Sequence, residues 1–202
     1  MFDQSNRIAK IVGLACGALL LLSVDGCGAT PTAQPTPTPA QPAPTPFVSA
    51  DCLSPAAASV DWHGCNKDSA DLRQADLTKA NISHAVLGKA DLTGANLTGA
   101  NLSYTCLNKA ILAQADLTGA NLSYAACLAE TNFGGANLTG ANLSYTNLSH
   151  TNLSHTDLSK ADLTGVNLTG ANLTGTDLTG ATYNNETTWP TGFTPPAEAK
   201  KV

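Results

Sequence analysis

The sequence predicts an all-β solenoid, a fold in which short extended segments wind into stacked coils. The motif ADLTG and its variants recur every five residues from Ala70 to about Asn185. A period of five matches neither the 3.6 residues of a helical turn nor the 2.0 of a flat strand. Gly, Asn and Ser also recur too often for helices. Short extended segments with a turn in every unit remain, and these define a β-solenoid.

Composition excludes some functions before any motif is considered. The chain has 202 residues, of which 12% are charged, and its formal net charge is −5. This charged fraction is about half of the usual share. Because the few charges are spread thinly, the sequence predicts neither a basic nucleic-acid-binding surface nor a densely acidic one.

The N-terminus predicts export. Arg7 and Lys10 precede a mostly apolar run over residues 11–24, which is too short to span a bilayer. The segment VDGC, residues 24–27, resembles the lipobox of bacterial lipoproteins, in which the cysteine becomes the lipidated first residue. Residues 1–27 are therefore expected to be a signal peptide with lipidation at Cys27. The resemblance implies an exported protein anchored in a membrane of the cell envelope.

Two alternatives to this anchor remain open. Asp25 stands where the lipobox usually has a small uncharged residue, and cleavage after Ala29 would release a soluble secreted protein instead. An uncleaved anchor or a misassigned start is the other alternative.

Residues 28–50 are expected to be a disordered Pro/Thr-rich linker. The stretch TPTAQPTPTPAQPAPTP, residues 30–46, cannot build a core and favours the extended polyproline conformation. At about 3.1 Å per residue, such a segment acts as a spacer between an anchor and a folded domain. A passive linker, glycosylated on threonine, is the alternative.

Residues 51–69 are expected to cap the N-terminal end of the solenoid. Cys52 and Cys65 form a candidate disulfide pair. Between them SPAAA, residues 54–58, has the pattern of a short N-capped helix with proline at its first position. With Trp62, this helix is expected to cover the open end of the apolar stack.

The repeat body spans residues 70–185. Eleven large central residues run from Leu72 to Leu122 and, after one inserted residue, twelve more run from Leu128 to Tyr183. Units such as ADLTG, ANLTG, ANLSY and TDLSK resemble those of the pentapeptide-repeat family. The resemblance implies a right-handed quadrilateral parallel β-helix of about six coils, with four units per coil. It also implies that the central residue and the small residue two positions before it point inward.

Deviations from the repeat support four units per coil, because they recur every fourth unit, with one extra residue where the interval crosses the insertion. Tyr104, Tyr124 and Tyr145 have this spacing, and so do Cys106 and Cys127. The two cysteines therefore occupy one outward column in successive coils, with the extra residue placed at Ala125. Strands about 4.8 Å apart permit a disulfide in an exported protein, so a Cys106–Cys127 crosslink is predicted. Two stacked free thiols are the alternative.

Residues 186–202 are expected to form a C-terminal cap and tail. Trp189 and Phe193 lie just beyond the last unit and are expected to form a lid over the final coil, because a solenoid end exposes apolar side chains. The remaining residues, 194–202, are expected to be a frayed tail.

No catalytic, cofactor or metal site is expected, because no arrangement of nucleophile, base and orienting group can be assembled from these residues, and no Cys/His spacing fits zinc. Asp157 and Asp177 share a column and are expected to form a hydrated acidic strip. The protein is therefore not expected to be an enzyme. The least repetitive surface supplies candidate binding residues for a protein or glycan partner, with simple ring stacking as the alternative for the aromatic ones. These are Tyr104, Tyr124, Tyr145, His84, Lys89 and Lys109.

Two principal hypotheses for function follow. The first is an exported, lipid-anchored, non-catalytic structural or binding module of the bacterial cell envelope. The second follows from the resemblance, since well-known pentapeptide-repeat proteins imitate DNA and inhibit DNA gyrase in the cytoplasm. The export signal opposes it, and so does charge, because residues 70–185 hold eight acidic and five basic residues. Ice binding by the regular threonine column is a third, minor hypothesis.

Overall fold

The computed structural model describes residues 50–202, except Ala126 and Ala129. The predicted signal peptide, the lipidation site at Cys27 and the predicted linker up to residue 49 lie outside the described residues. Regular elements are short: a 3₁₀ helix at Ala50–Leu53, strand β1 at Thr182–Tyr183 and strand β2 at Lys200–Lys201. Among the described residues, none belongs to a helix long and apolar enough to cross a membrane.

The coils are held together by parallel bridges between positions one coil apart. Asp76 pairs with Asn96 and Asn96 with Asp116, so each partner lies four five-residue units further along the chain. The large residue of each unit donates its backbone N–H to the next coil, as Leu97 does to the carbonyl of Asp116 at 2.6 Å. Because one coil contains four units, each coil has four sides.

The core is a stack of the central residues, as the sequence predicts. The central residues from Leu77 to Leu168 are fully buried, with Phe133 as the one aromatic among them. The small inward residues from Ala80 to Ala171 are also buried. Where the residue is threonine, its hydroxyl finds a backbone acceptor, as when Thr146 Oγ1 donates to the carbonyl of Leu122 at 2.8 Å. No buried side-chain N or O atom lacks a hydrogen-bond partner among the described residues.

The outward Asn or Asp of each unit stabilises the turn that follows it. In the unit around Leu117, Asp116 Oδ1 accepts two hydrogen bonds from Thr118, one from its backbone N–H at 3.0 Å and one from its side-chain hydroxyl at 2.6 Å. This is an Asx turn, which Asn and Asp side chains form readily. The recurrence of these residues is therefore explained first by bonds within one unit. Some columns add bonds between coils, such as Asn152 Nδ2 to Asn132 Oδ1 at 2.8 Å.

The prediction that Ala125 is the inserted residue is wrong. Ala125 is buried, and its N–H donates to the carbonyl of Leu122 at 3.2 Å, as the inward small residue of every regular unit does. Cys127 already pairs with Cys106. The extra residue therefore comes between Ala125 and Cys127, at Ala126, which lies outside the described residues.

The N-terminal end differs from the predicted cap in two ways. Coil pairing begins before residue 70, since Asp61 pairs with Asn81 and the buried Trp62 occupies a central position. The predicted helix over residues 54–58 is also wrong, because the helix is Ala50–Leu53. It ends before Pro55, whose ring disfavours helical geometry at the preceding residue. A disulfide joins Cys52 and Cys65, with Cα atoms 5.4 Å apart.

The C-terminal residues form an ordered part of the last coil. Trp189 packs edge to face on Tyr183, with ring centroids 5.4 Å apart, and stacks on Phe193 at 5.4 Å. The frayed tail predicted over residues 194–202 is wrong, because β2 (Lys200–Lys201) pairs in parallel with β1 (Thr182–Tyr183). This pairing satisfies edge groups that an open coil end would leave without partners.

Candidate functional site

The tyrosine ladder is a row of stacked rings, formed by His84, Tyr104, Tyr124 and Tyr145, along one corner of the coil. Ring centroids of successive members are 4.8, 5.3 and 5.2 Å apart, and their planes differ by 7°, 6° and 11°. The three tyrosines are 53%, 46% and 47% exposed. The structure therefore brings together four of the six predicted binding residues in one continuous surface feature.

The stack leaves ring edges and hydroxyl groups, not ring faces, available to a ligand. Within the ladder each face covers its neighbour. At one end His63 contacts His84 at 5.2 Å and 73°, and at the other the Tyr145 ring lies over Gly165, where an added Cβ would be 2.6 Å from Cδ1. Any contact to the ladder would therefore be made mainly through ring edges and hydroxyl groups.

The ladder residues hold a backbone conformation that glycine would adopt more easily. Tyr104, Tyr124 and Tyr145 have φ angles of 59°, 58° and 57°. This left-handed conformation costs a non-glycine residue about 1–2 kcal/mol, whereas an aromatic pair returns about 0.5–1.5 kcal/mol. Glycine takes the same position in other units, as Gly119 does. Ring stacking therefore offsets part of this backbone cost at the tyrosines, although Lys and Gln take the same conformation elsewhere, as Lys79 and Gln114 do.

The side of the coil that follows the tyrosine ladder is the cysteine face, whose outward column contains Val86, Cys106 and Cys127. Val86 pairs with Cys106, and Cys106 pairs with Cys127. In most other units this position holds Asn or Asp, so the column is locally apolar and lacks the amide or carboxylate that forms the turn elsewhere. The corner beyond this face holds Lys89 and Lys109.

The predicted crosslink between Cys106 and Cys127 is absent from the structure, in which both are free thiols. The register prediction is right, because the two residues are bridge partners. A backbone spacing of about 4.8 Å permits a disulfide, so the register alone does not decide whether the two sulfurs are joined; the bond also needs suitable side-chain torsions. A hydrogen bond with Cys106 and partial burial raise the pKa of the Cys127 thiol.

The lysine column contributes an ion pair at the surface. Lys109 Nζ lies 3.6 Å from Glu130 Oε2, and both side chains are at least half exposed. Such an exposed pair contributes little to stability. Lys89 lies one coil before Lys109 in the same column. The two lysines therefore border the cysteine face opposite the tyrosine ladder, and the six predicted binding residues lie along its two edges.

Two further surface residues were missed by sequence reasoning. Val86 is 40% exposed and Ile111, just beyond the Lys109 corner, is 39% exposed. Leu53 and Val202 are exposed near the two ends of the described residues, and every other exposed large hydrophobic side chain among these residues lies on the cysteine face or next to it. The signal was present in the sequence: both residues stand at the outward position that normally holds Asn or Asp.

The carboxylates of the body are engaged in turns. Hydrogen bonds from Thr118 hold the pKa of Asp116 below its usual value, and those from Ser159 do the same for Asp157. Arg73 lowers the pKa of Asp71 to about 2 through a bond of 2.6 Å between Nη2 and Oδ2. These groups serve local structure, and their hydrogen bonds do not converge on a ligand.

Comparison with known proteins places the chain in a family. The sequence profile of pentapeptide repeats matches in eight copies, over residues 63–94, 95–126, 124–154 and 146–182. This is more than half of the chain. The protein belongs to the pentapeptide repeat family, whose structures are right-handed quadrilateral β-helices. A comparison with curated protein sequences gives no significant match.

Among solved structures, QnrB1 shares the fold. This plasmid-mediated fluoroquinolone resistance protein matches with a TM-score of 0.51 and 16% identity, over 72% of this chain and 76% of that one. HetL, a pentapeptide repeat protein involved in heterocyst differentiation regulation in the cyanobacterium Nostoc sp. strain PCC 7120, is 35% identical over 61% of this chain and 62% of its own, with a TM-score of 0.26. A pentapeptide repeat protein of the cyanobacterium Cyanothece 51142 is 30% identical over 64% and 90%, with a TM-score of 0.37.

Proposed function

We propose that this protein is an exported, lipid-anchored, non-catalytic binding module of the bacterial cell envelope. The observation that carries the proposal is the one-sided distribution of exposed apolar side chains. Apart from Leu53 and Val202 near the two ends, the exposed large apolar side chains of the described residues lie on or beside the cysteine face, and they are Val86, Ile111 and the tyrosines of the ladder. Other outward columns repeat Asn, Asp, Thr and Ser. An exposed apolar patch on a folded domain marks an interaction surface.

The partner in this proposal is a protein rather than a glycan. The tyrosine ladder offers a row of ring edges and hydroxyl groups about one strand spacing apart, and its ring faces are covered by neighbours. Tyrosine is favoured at protein interfaces because it combines a large apolar area with a polar tip. Lys89 and Lys109 lie along the opposite edge and favour an acidic border on the partner.

The export and the anchor rest on the sequence. The charged start, the apolar run over residues 11–24 and the lipobox-like VDGC support lipidation of Cys27. A single acyl chain binds membranes only marginally, whereas the diacyl group of a lipoprotein anchors stably. The Pro/Thr-rich segment then holds the repeat body away from the membrane surface.

The test is the intact mass and cell fraction of the full chain, expressed in a bacterium that processes lipoproteins. The expected result is a membrane-bound chain that begins at diacylated Cys27. The control variant Cys27→Ala should lose the lipid and keep the signal unprocessed at that position. A soluble chain that begins at Thr30 would remove the anchor but keep export, and a cytoplasmic chain that retains Met1 would overturn the proposal.

The fold likeness to QnrB1 favours a second candidate, an inhibitor of DNA gyrase that imitates DNA. It requires a cytoplasmic location and a dense negative surface. Residues 70–185 hold eight acidic and five basic residues, a net charge of −3, whereas DNA carries one charge per about 1.7 Å. Inhibition of gyrase supercoiling by micromolar protein would support this candidate, and no inhibition would oppose it.

A further inference from the structure

The proposed binding function does not account for the free thiols of Cys106 and Cys127. They are bridge partners in successive coils, and both are accessible, Cys127 more than Cys106. By contrast, Cys52 and Cys65 are joined in a disulfide. The same chain thus holds one closed cysteine pair at its N-terminal end and one open pair in the middle of the cysteine face.

The open pair places two thiols side by side on one surface of the coil. Because Cys106 and Cys127 are bridge partners, their backbones lie about 4.8 Å apart and their side chains leave the coil in the same direction. The two side chains are hydrogen-bonded to each other, and no covalent bond joins them. Two thiolates at neighbouring positions can therefore bind the same metal ion.

We propose that Cys106 and Cys127 bind one monovalent thiophilic metal ion, of the Cu(I) class, between their sulfur atoms. Both thiols lose their protons, two sulfur–metal bonds form, and the oxidation state of the metal does not change. Soft thiolate ligands select Cu(I) over harder cations. The resulting site is a linear bridge between two coils.

The surroundings favour two ligands over four. Across residues 50–202, apart from Ala126 and Ala129, no group of three or more His, Cys, Asp or Glu side chains is placed to hold a metal. Structural zinc takes four protein ligands in a tetrahedron, so this pair does not suit it. Lys89 and Lys109 end the units of Val86 and Cys106. Lys109 is paired with Glu130, which ends the unit of Cys127. This corner therefore holds two positive charges and one negative charge beside a bis-thiolate complex that carries one negative charge.

The test uses the full chain with Cys16→Ser and Cys27→Ser, so that Cys106 and Cys127 supply the free thiols while Cys52 and Cys65 stay bonded. A thiol assay should first count two reactive groups. Cu(I) is then offered without oxygen as its coloured bicinchoninate complex, and transfer to the protein is followed by loss of colour. The expected result is one Cu(I) per chain, bound about 100-fold more tightly than by Cys106→Ser or Cys127→Ser, because the second thiol binds intramolecularly.

A matched pair of variants separates the geometry from the number of thiols. Val86→Cys with Cys127→Ser moves the pair back by one coil and keeps the two thiols in register, since Val86 pairs with Cys106. Val86→Cys with Cys106→Ser leaves two thiols in the same column but two coils apart. The first variant should bind Cu(I) as the parent does, and the second should bind like a single thiol.

Three outcomes would overturn the proposal. One is tight binding by the variant whose thiols lie two coils apart, and another is equal binding by the parent and the single-cysteine variants. The third is a thiol count of zero in the parent, which would show that Cys106 and Cys127 are joined instead. Circular dichroism of each variant should retain the parent spectrum, so that a loss of binding is assigned to the site and not to unfolding.

Discussion

The cysteine face and the side opposite to it share one backbone but present different chemistry. We call the opposite side the aspartate face. Its outward column holds Asn or Asp from coil to coil. It consists of Asp76, Asn96, Asp116, Asn137, Asp157 and Asp177. On the cysteine face the equivalent column changes to Val86, Cys106 and Cys127. The core behind both columns is the same stack of leucines.

The difference shows which residues specify the fold and which are free to specify function. Inward positions are buried on both sides, so the core fixes their size. The outward position needs Asn or Asp only to support the turn, and the cysteine face forms its bridges without them. Departures from the rule at outward positions therefore carry functional information that the repeat itself does not.

The largest expected effect comes from breaking the core that both faces share. Leu112 is fully buried, so Leu112→Ala should lower the free energy of unfolding by about 2–5 kcal/mol. Ile111, its neighbour in the chain, points outward, and Ile111→Ala should change the free energy of unfolding by less than about 1 kcal/mol. Urea unfolding measures both. Similar losses for the two variants would contradict the inward and outward assignment.

A smaller loss of stability than in the core is expected at the end of the tyrosine ladder, where it should still exceed the loss at a corner of the coil that has no ring over it. Gly140 and Gly165 have φ angles of 65° and 67°, but only Gly165 lies under a ring, that of Tyr145. Gly140→Ala should cost about 1–2 kcal/mol through backbone strain alone. Gly165→Ala should cost about 1 kcal/mol more, because its Cβ displaces the ring. Urea unfolding of both variants tests this.

The control is a double variant. Tyr145→Gly removes the ring, so adding Gly165→Ala to it should cost no more than Gly140→Ala does alone. If the extra loss at Gly165 persists without the ring, Tyr145 does not end the ladder as described.

The smallest effect is a pH dependence of the aspartate face. The pKa values of Asp116 and Asp157 are lowered in the folded state by hydroxyl and backbone hydrogen bonds. Their contribution to stability is present above the unfolded pKa of about 4 and is lost as pH falls through the lower folded value. The midpoint temperature of thermal unfolding should therefore decrease as the pH is lowered below about 4. The double variant Asp116→Asn with Asp157→Asn should show a smaller decrease of the thermal midpoint at low pH. An unchanged dependence on pH would contradict this prediction.

The sequence predicted most of the fold because the repeat is local. A spacing of four units between the tyrosines and between the cysteines, with one extra residue across the insertion, was enough to place them in columns. Pairing of Lys200 with Thr182 was missed, because the C-terminal residues carry no repeat motif and their order depends on a distant partner. The insertion was misplaced by one residue, because Ala125 and Ala126 are identical in the sequence, and the regular inward position of Ala125 follows only from its burial and its hydrogen bond to Leu122.

The candidate site was predicted in part. Column spacing located the ladder, but ring orientation, on which the proposed choice of a protein partner over a glycan rests, follows from side-chain packing. The exposed positions of Val86 and Ile111 were missed because a lone aliphatic residue at an outward position forms no column of its own. Whether Cys106 and Cys127 are joined depends on fine geometry and redox conditions, which spacing does not determine.

The central claim is that the cysteine face and its borders contact a partner, and site-specific photo-crosslinking in the native host tests it most directly. Asn108 on the cysteine face and Thr118 on the aspartate face have equivalent positions in their units, and both are half-buried. A photo-reactive residue at Asn108 should give a discrete crosslinked protein that Tyr124→Gly weakens, while one at Thr118 should give none. Equal crosslinking from both positions, or from Thr118 alone, would contradict the account.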